Sequence, residues 1–382
     1  MNLIIMQNRV LIFIGLFLLT FSCESQIKND DNFTLSISPS IQQLNTENQK
    51  IIQILSNFLE TKNNSLTYNE NWLISDFETY IYPYRDIFKI ESNKNDENYF
   101  KPTLMEIIKI SENKKILKIG FVGTNTATKA TTIRAIYNII AKRVETDWKL
   151  KRAIEYQTKE WTQIKKEGIT YYLPKRKIPN EIEMKMQIKD IEFICDFFNT
   201  NAIDITYYSC DTPKQVFEIK GFDYLPNMYF SETGGMVDYG NIIYSGNNSE
   251  YYTHEIVHIY TTKLFPSIQP ILNEGIATYL GGSGKNSYEW HREKFKVYLN
   301  ESSVNIANHL QPYERFYIDN ETPIPYIIGA LICERTLRKY GKEGLMNLLG
   351  SDKELWDSLN EYGLTKENLT NELKTTVNTV YN

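Results

Sequence analysis

The chain has 382 residues, 42% hydrophobic and 23% charged, the balance of an ordinary globular protein with room for two domains. A formal net charge of −5 leaves no basic excess of the kind a nucleic-acid-binding surface needs, so no nucleic-acid partner is expected. Four cysteines without a CxxC pair leave no basis for a sulfur-ligated zinc site.

At the N-terminus, Arg9 precedes an apolar run over 10–21, which has the length of a signal-peptide core and is too short to span a bilayer. The run ends Leu19-Thr20-Phe21-Ser22-Cys23. A small residue directly before a cysteine resembles the lipobox of bacterial lipoproteins. The resemblance implies a signal peptide over 1–22, a lipid on Cys23, and an exported protein anchored to the outer membrane or cell envelope. An ordinary signal peptide with an incidental cysteine is the alternative. Residues 23–45, polar and rich in Asn, Asp and Ser, read as a flexible tether.

Thr46 and Gln49 have capping-box spacing, and Ile51, Ile54, Leu55 and Phe58 line one face of the helix that this spacing predicts. Strands are predicted over 115–122, 131–144 and 148–157; in the last, Trp148, Leu150, Ile154 and Tyr156 alternate with charged or small residues. A helix followed by long antiparallel strands suggests a small α+β domain over 46–170, and its element order resembles the nuclear-transport-factor-2 superfamily. The stretch 171–179, with Pro174 and Pro179, reads as a linker. A helix over 180–199 opens a second domain, 180–382. Two short strand-like pieces follow, the second ending at 240–245, and helices are predicted around 250–264, 270–280, 324–340 and 366–379. Cys195 and Cys333 read as buried thiols. Whether Cys195 pairs with Cys210 is open from spacing alone.

The chemistry-bearing residues lie in this second half. His254-Glu255-Ile256-Val257-His258 is an HExxH pattern in a chain with only four histidines. On a helix, positions i and i+4 share a face one turn apart, so the two imidazoles can grip one Zn2+. Glu255 then stands where it can take the proton of an attacking water. A catalytic zinc wants a third protein ligand and one open position. Pro266 and Pro270 turn the chain back, and Glu274 opens a second helix that Gly281-Gly282 ends. Glu274 sits among apolar residues, where a carboxylate needs a partner and a metal would be one.

HEIVH followed by LNEGIATY resembles the gluzincins, in particular the M1-aminopeptidase-like and related MA-clan zinc peptidases. The resemblance covers roughly 180–350 and implies a zincin-like domain with His254, His258 and Glu274 as zinc ligands. Glu255 would be the general base of peptide-bond hydrolysis, and a peptide or protein the substrate. Pro325-Tyr326-Ile327-Ile328-Gly329 resembles the segment whose tyrosine stabilises the oxyanion in these families, which points to Tyr326. Ile242, Ile243 and Tyr244 resemble the edge strand that binds substrate backbone, and Gly234-Gly235 before them could allow close backbone approach. Members often carry a carboxylate four residues after the glutamate ligand, where this chain has Thr278. His291 and His309 read as surface residues. Gly282-Ser283-Gly284-Lys285-Asn286 resembles the end of a phosphate-binding loop, but it lacks the leading glycine and follows a helix rather than a strand, so it reads as a plain loop. Two other readings stand beside hydrolysis: a zincin-fold lipoprotein that binds zinc or a partner with little turnover, and an N-terminal domain that carries the function as a ligand- or glycan-binding module.

Overall fold

Backbone pairing begins inside the expected tether. In the computed structural model, which describes residues 33–229 and 232–379, β1 (Ser36–Ile37) runs parallel to the first long strand, and Ile41 is buried. A paired backbone and a buried isoleucine thus correct the tether reading for the last part of 23–45. The signal segment 1–22 and Cys23 lie outside the described residues. From Thr34 onward the chain forms one compact unit.

Asn45, rather than Thr46, caps α1 (Thr46–Thr61): its side chain accepts from the amides of Glu47 and Asn48, satisfying two of the orphan donors of the first turn. Ile51, Leu55 and Phe58 face inward as the periodicity predicts. After α2 (Ile74–Tyr80) and a 3-10 turn at Arg85–Ile87 come β2 (Lys101–Ser111), β3 (Lys114–Thr124), β4 (Thr131–Val144) and β5 (Asp147–Arg152). The order is β1-β2-β3-β4-β5, antiparallel from β2 onward. Phe58, Trp72 and Tyr84, with ring centroids 4.8–5.2 Å apart, fill the core of this half. The predicted strand 148–157 stops at Arg152, whose amide donates to the Asp76 carboxylate at 2.7 Å, and a helical turn, α3 (Ile154–Gln157), follows.

The second sheet is built from β6 (Thr162–Lys166), β7 (Ile169–Leu173), β8 (Ile205–Ser209), β10 (Gly235–Asp238) and β11 (Ile242–Ser245). Between its strands lie α4 (Glu181–Phe198), α5 (Pro213–Lys220) and β9 (Phe222–Tyr224). The sheet order is β10-β11-β8-β7-β6, with a parallel centre and antiparallel strands at both ends. The stretch expected as a linker, 171–179, begins inside β7, and β9 leaves for the first sheet to pair with β4. Each half expected from the sequence, 46–170 and 180–382, therefore contributes strand to the other's sheet.

Beyond Ser245 the elements are helical: α6 (Thr253–Leu264), α7 (Pro270–Gly281), α8 (Tyr288–Glu301), α9 (Ile324–Leu349, broken at Gly341), α10 (Leu355–Glu361) and α11 (Leu369–Asn378). The chain is thus α+β with a mostly helical C-terminal half. Apolar faces of α4, α6, α7 and α9 close on the second sheet in one core that includes Tyr207, Ile243, Ile256, Tyr260, Ile276 and Ile327. Cys195 and Cys210 are both free thiols, the first packed against this core and the second in a separate one.

Candidate metal centre

Helix α6 is fixed from its start by α4. Gln187 accepts the Tyr252 amide through its side-chain oxygen at 2.6 Å, and Asp190 accepts the Thr253 hydroxyl at 2.6 Å, so side chains of α4 anchor a helix start that has no capping side chain of its own. Helix α7 lies antiparallel to it. The two touch where Gly281 meets the Thr253–His254 backbone; a Cβ on Gly281 would fall 2.5 Å from the His254 nitrogen. At the other end the Thr261 hydroxyl donates to Asn273 at 2.6 Å. These two contacts set Glu274 against the histidines.

The three expected ligands come together. His254 Nε2 lies 3.2 Å from Glu274 Oε2 and 3.2 Å from His258 Nε2, and His258 Nε2 lies 3.5 Å from Glu274 Oε2. All three residues are buried. Nδ1 of His254 contacts the Gly282 carbonyl at 2.7 Å. A carbonyl only accepts, so Nδ1 carries the hydrogen and the neutral ring presents a bare lone pair at Nε2. That lone pair faces a carboxylate oxygen and a second imidazole nitrogen. Three acceptors cannot share this space bare: either a hydrogen on His258 Nε2 or a metal ion at their meeting point relieves the repulsion. Tetrahedral bonds of 2.0–2.1 Å place ligand atoms about 3.4 Å apart, so the observed triangle fits a zinc-sized ion with one position left open.

The electrostatics agree. Burial would raise the Glu274 carboxyl, but the imidazoles of His254 and His258 beside it outweigh burial and hold it well below the usual carboxylate range. Burial likewise disfavours a charged His258, yet its hydrogen bond to Glu274 and the charges of Glu255 and Glu274 push its pKa up to about 9. Buried Nδ1 of His258 makes no hydrogen bond of ordinary geometry, with Asn273 beside it.

These residues open onto a cleft of about 660 Å3, lined also by Glu255, Tyr252, Tyr313 and Tyr326. The Tyr326 ring lies nearly parallel to His254, 5.9 Å between centroids and 10° between planes. Its phenol is held protonated well above its ordinary value, first by burial and then by the Glu274 carboxylate next to it. Tyr252 is held protonated in the same way, by burial and then by Glu255.

Four expectations need correction. Ile242, Ile243 and Tyr244 do not form an edge strand: β11 is paired on both sides, with β10 and β8, and all three residues are buried. The strand that lines the cleft is β10, which has β11 as its one ladder neighbour among the described residues. Gly235 does make a close approach, to the neighbouring strand and to Tyr252: an added Cβ would sit 2.4 Å from the Tyr244 carbonyl oxygen and 2.6 Å from the Tyr252 ring. His291 is fully buried, not on the surface; its Nε2 donates to the Ser283 carbonyl at 2.9 Å and its Nδ1 lies 3.2 Å from the Thr322 hydroxyl. His309 is half-buried and pairs with Glu314. The loop 282–286 is more than a plain connection, because its first carbonyl orients His254 and its second is pinned by His291. Thr278 is buried with an unpartnered hydroxyl and makes no hydrogen bond to a ligand.

Sequence reasoning missed Tyr252, Gly282 and His291. Tyr252 carried one signal, its place two residues before His254. No known protein-family model matches this chain, and no curated protein is significantly similar to it.

Proposed function

We propose that the chain is a zinc-dependent peptidase of the gluzincin type, with a zincin-like domain over 180–382. In this reading the preceding part is a small α+β domain that resembles the nuclear-transport-factor-2 superfamily in element order. The observation that carries the reading is the triangle of His254, His258 and Glu274 ligand atoms, 3.2–3.5 Å on a side, in a buried site beside Glu255. The N-terminal segment adds export and a lipid anchor at Cys23 to this reading.

Zinc, when bound, supplies Lewis-acid polarisation and lowers the pKa of a water ligand to about 7. The chain's own groups do the rest. Gly282 fixes the His254 tautomer so that Nε2 stays a lone-pair donor. Glu255 accepts the proton of the water that adds to the peptide carbonyl, then delivers it to the departing amine as the C–N bond breaks. Tyr326, held protonated, donates a hydrogen bond to the oxygen that gains charge in the transition state. Strand β10 offers its free edge to the extended substrate backbone.

Purified protein should hold about one zinc per chain, and His254→Ala should hold none. Glu255→Gln should keep the zinc and lose cleavage by at least about 100-fold. A Glu255→Gln chain that cleaves peptides at the wild-type rate would sink the mechanism. Stoichiometric zinc without cleavage across a broad peptide library would instead identify a metal-binding lipoprotein.

A further inference from the structure

One wall of the cleft comes from the first half of the chain. Ile81 and Arg85 line it together with β10 and the turn that follows. The wall is firmly placed. Ile81 is a β-branched residue at φ 61°, a conformation kept only where the surroundings impose it. Gly240, in the turn after β10, packs so tightly on Thr79 that a Cβ would lie 2.3 Å from its carbonyl oxygen. Next to Arg85, Asp86 is tied to the buried Arg152 and Lys220, each at 3.0 Å.

Three carboxylates line the cleft among the described residues. Glu255 and Glu274 belong to the metal centre, and Asp238 is neutralised by Lys220 at 3.3 Å and Arg152 at 3.4 Å. The cleft's cations, Arg85 and Lys263, have no carboxylate partner among the described residues. In a chain of net charge −5, the free charge of the cleft away from the metal is therefore positive. The Arg85 guanidinium lies 4.8 Å over the Tyr239 ring, and Tyr239 is held from another side by Tyr82, 4.5 Å between centroids. Stacking uses the flat face of a guanidinium and leaves its edge N–H donors free, in the fork geometry that matches a carboxylate. Arg85 and Tyr313 line the same cleft as the three expected ligands, His254, His258 and Glu274.

We propose that Arg85 is the specificity-determining residue of the cleft and selects peptides that carry a carboxylate near the cleaved bond. The carboxylate is an acidic side chain or a free C-terminus. This rests on the peptidase reading, and it makes the first half of the chain a part of the substrate site rather than a separate binding module.

Four matched peptides test it on the zinc-loaded enzyme: one with a glutamate and a free C-terminus, one with glutamine and an amidated C-terminus, and one with each carboxylate alone. Wild type should favour a carboxylate peptide over the amide pair by about tenfold or more in kcat/KM, and the single-carboxylate peptides tell side chain from terminus. Arg85→Ala should abolish the preference and Arg85→Glu should invert it toward lysine-bearing peptides, with zinc content unchanged in both. Equal kcat/KM for acidic and amide peptides, or a preference that Arg85→Glu leaves intact, would overturn the proposal while leaving the peptidase reading in place. Binding of the same peptides to zinc-loaded Glu255→Gln separates the opposite failure. If wild type cleaves nothing, yet this chain binds acidic peptides about tenfold tighter in an Arg85-dependent way, hydrolysis falls and the carboxylate site stands. Without cleavage and without such a binding preference, both fall.

Discussion

Tyr326 reaches the candidate metal centre through two different contacts, and they separate its roles. Its ring lies parallel to His254 at 5.9 Å, a packing contact, while its hydroxyl stands next to Glu274, a polar one. Tyr326→Phe keeps the ring and removes the hydroxyl. If the phenol donates to the developing oxyanion, kcat should fall by about 10²- to 10³-fold with zinc content and KM nearly unchanged. A fall of less than about threefold would reduce Tyr326 to a packing residue. His254 and His258 were legible in the sequence because their spacing is helical: i and i+4 on one turn need no tertiary information. Glu274 and Tyr326 lie on other helices and were legible only through the motifs LNEGIATY and Pro325-Tyr326-Ile327-Ile328-Gly329 that surround them. Gly282 and His291 were not. Gly282 acts through a backbone carbonyl, which every residue has, and His291 sits in a charged stretch whose burial depends on Thr322 and Ser283 closing over it.

Tyr326 is aimed at the element scale by how closely α9 crosses α7. Gly275 and Gly329 meet there: a Cβ on Gly329 would lie 2.3 Å from the Ile271 carbonyl, and one on Gly275 would lie 2.3 Å from the Gly329 backbone. Tyr326 is three residues before Gly329 on the same helix, and Glu274 directly precedes Gly275, so the crossing sets both groups at once. Replacing a helical glycine by alanine ordinarily gains about 1 kcal/mol. At Gly329 the clash is with backbone, which cannot rotate away, and overpacking of this kind costs about 1–3 kcal/mol. Gly329→Ala should therefore lose stability in urea unfolding and bind zinc more weakly; a variant that matches wild type in both would show that the helices separate without cost. The same scale marks where sequence reading ran out. Helices α4, α6, α7 and α9 announced themselves by periodicity and proline or glycine punctuation. Which strand is the edge did not, because β10 and β11 are equally short and only pairing with β8 decides which one is interior.

Across the whole molecule the two halves are held by more than exchanged strands. Arg152 from β5, Lys220 from the end of α5, Asp86 from the first half and Asp238 from β10 form one buried ionic cluster, with Arg152 over the Tyr80 ring at 4.6 Å and Lys220 over Tyr244 at 4.8 Å. Two cations balanced by two carboxylates avoid the large penalty of an unpaired buried charge. Burial alone would raise the Asp238 carboxyl, but Lys220 and Arg152 overcome it and hold it below its ordinary value. A carboxyl whose pKa is depressed by folding stabilises the fold above its unfolded value, about pH 4, and loses that contribution as pH falls through the folded pKa. Asp238→Asn removes the charge and leaves the two cations with one carboxylate, at an expected cost of about 3–5 kcal/mol near pH 7. Below about pH 4 the unfolded chain protonates this group, and at lower pH, through the depressed folded value, the native chain does too, so the stability gap between the two proteins should close as pH falls. Urea unfolding of both proteins in steps from pH 7 to pH 2 measures that gap. A gap that keeps its size throughout would mean that Asp238 acts by shape rather than charge. Because Asp238 ends the strand that lines the cleft, the same variant should also weaken peptide binding at pH 7, tying the acid stability of the fold to the substrate edge.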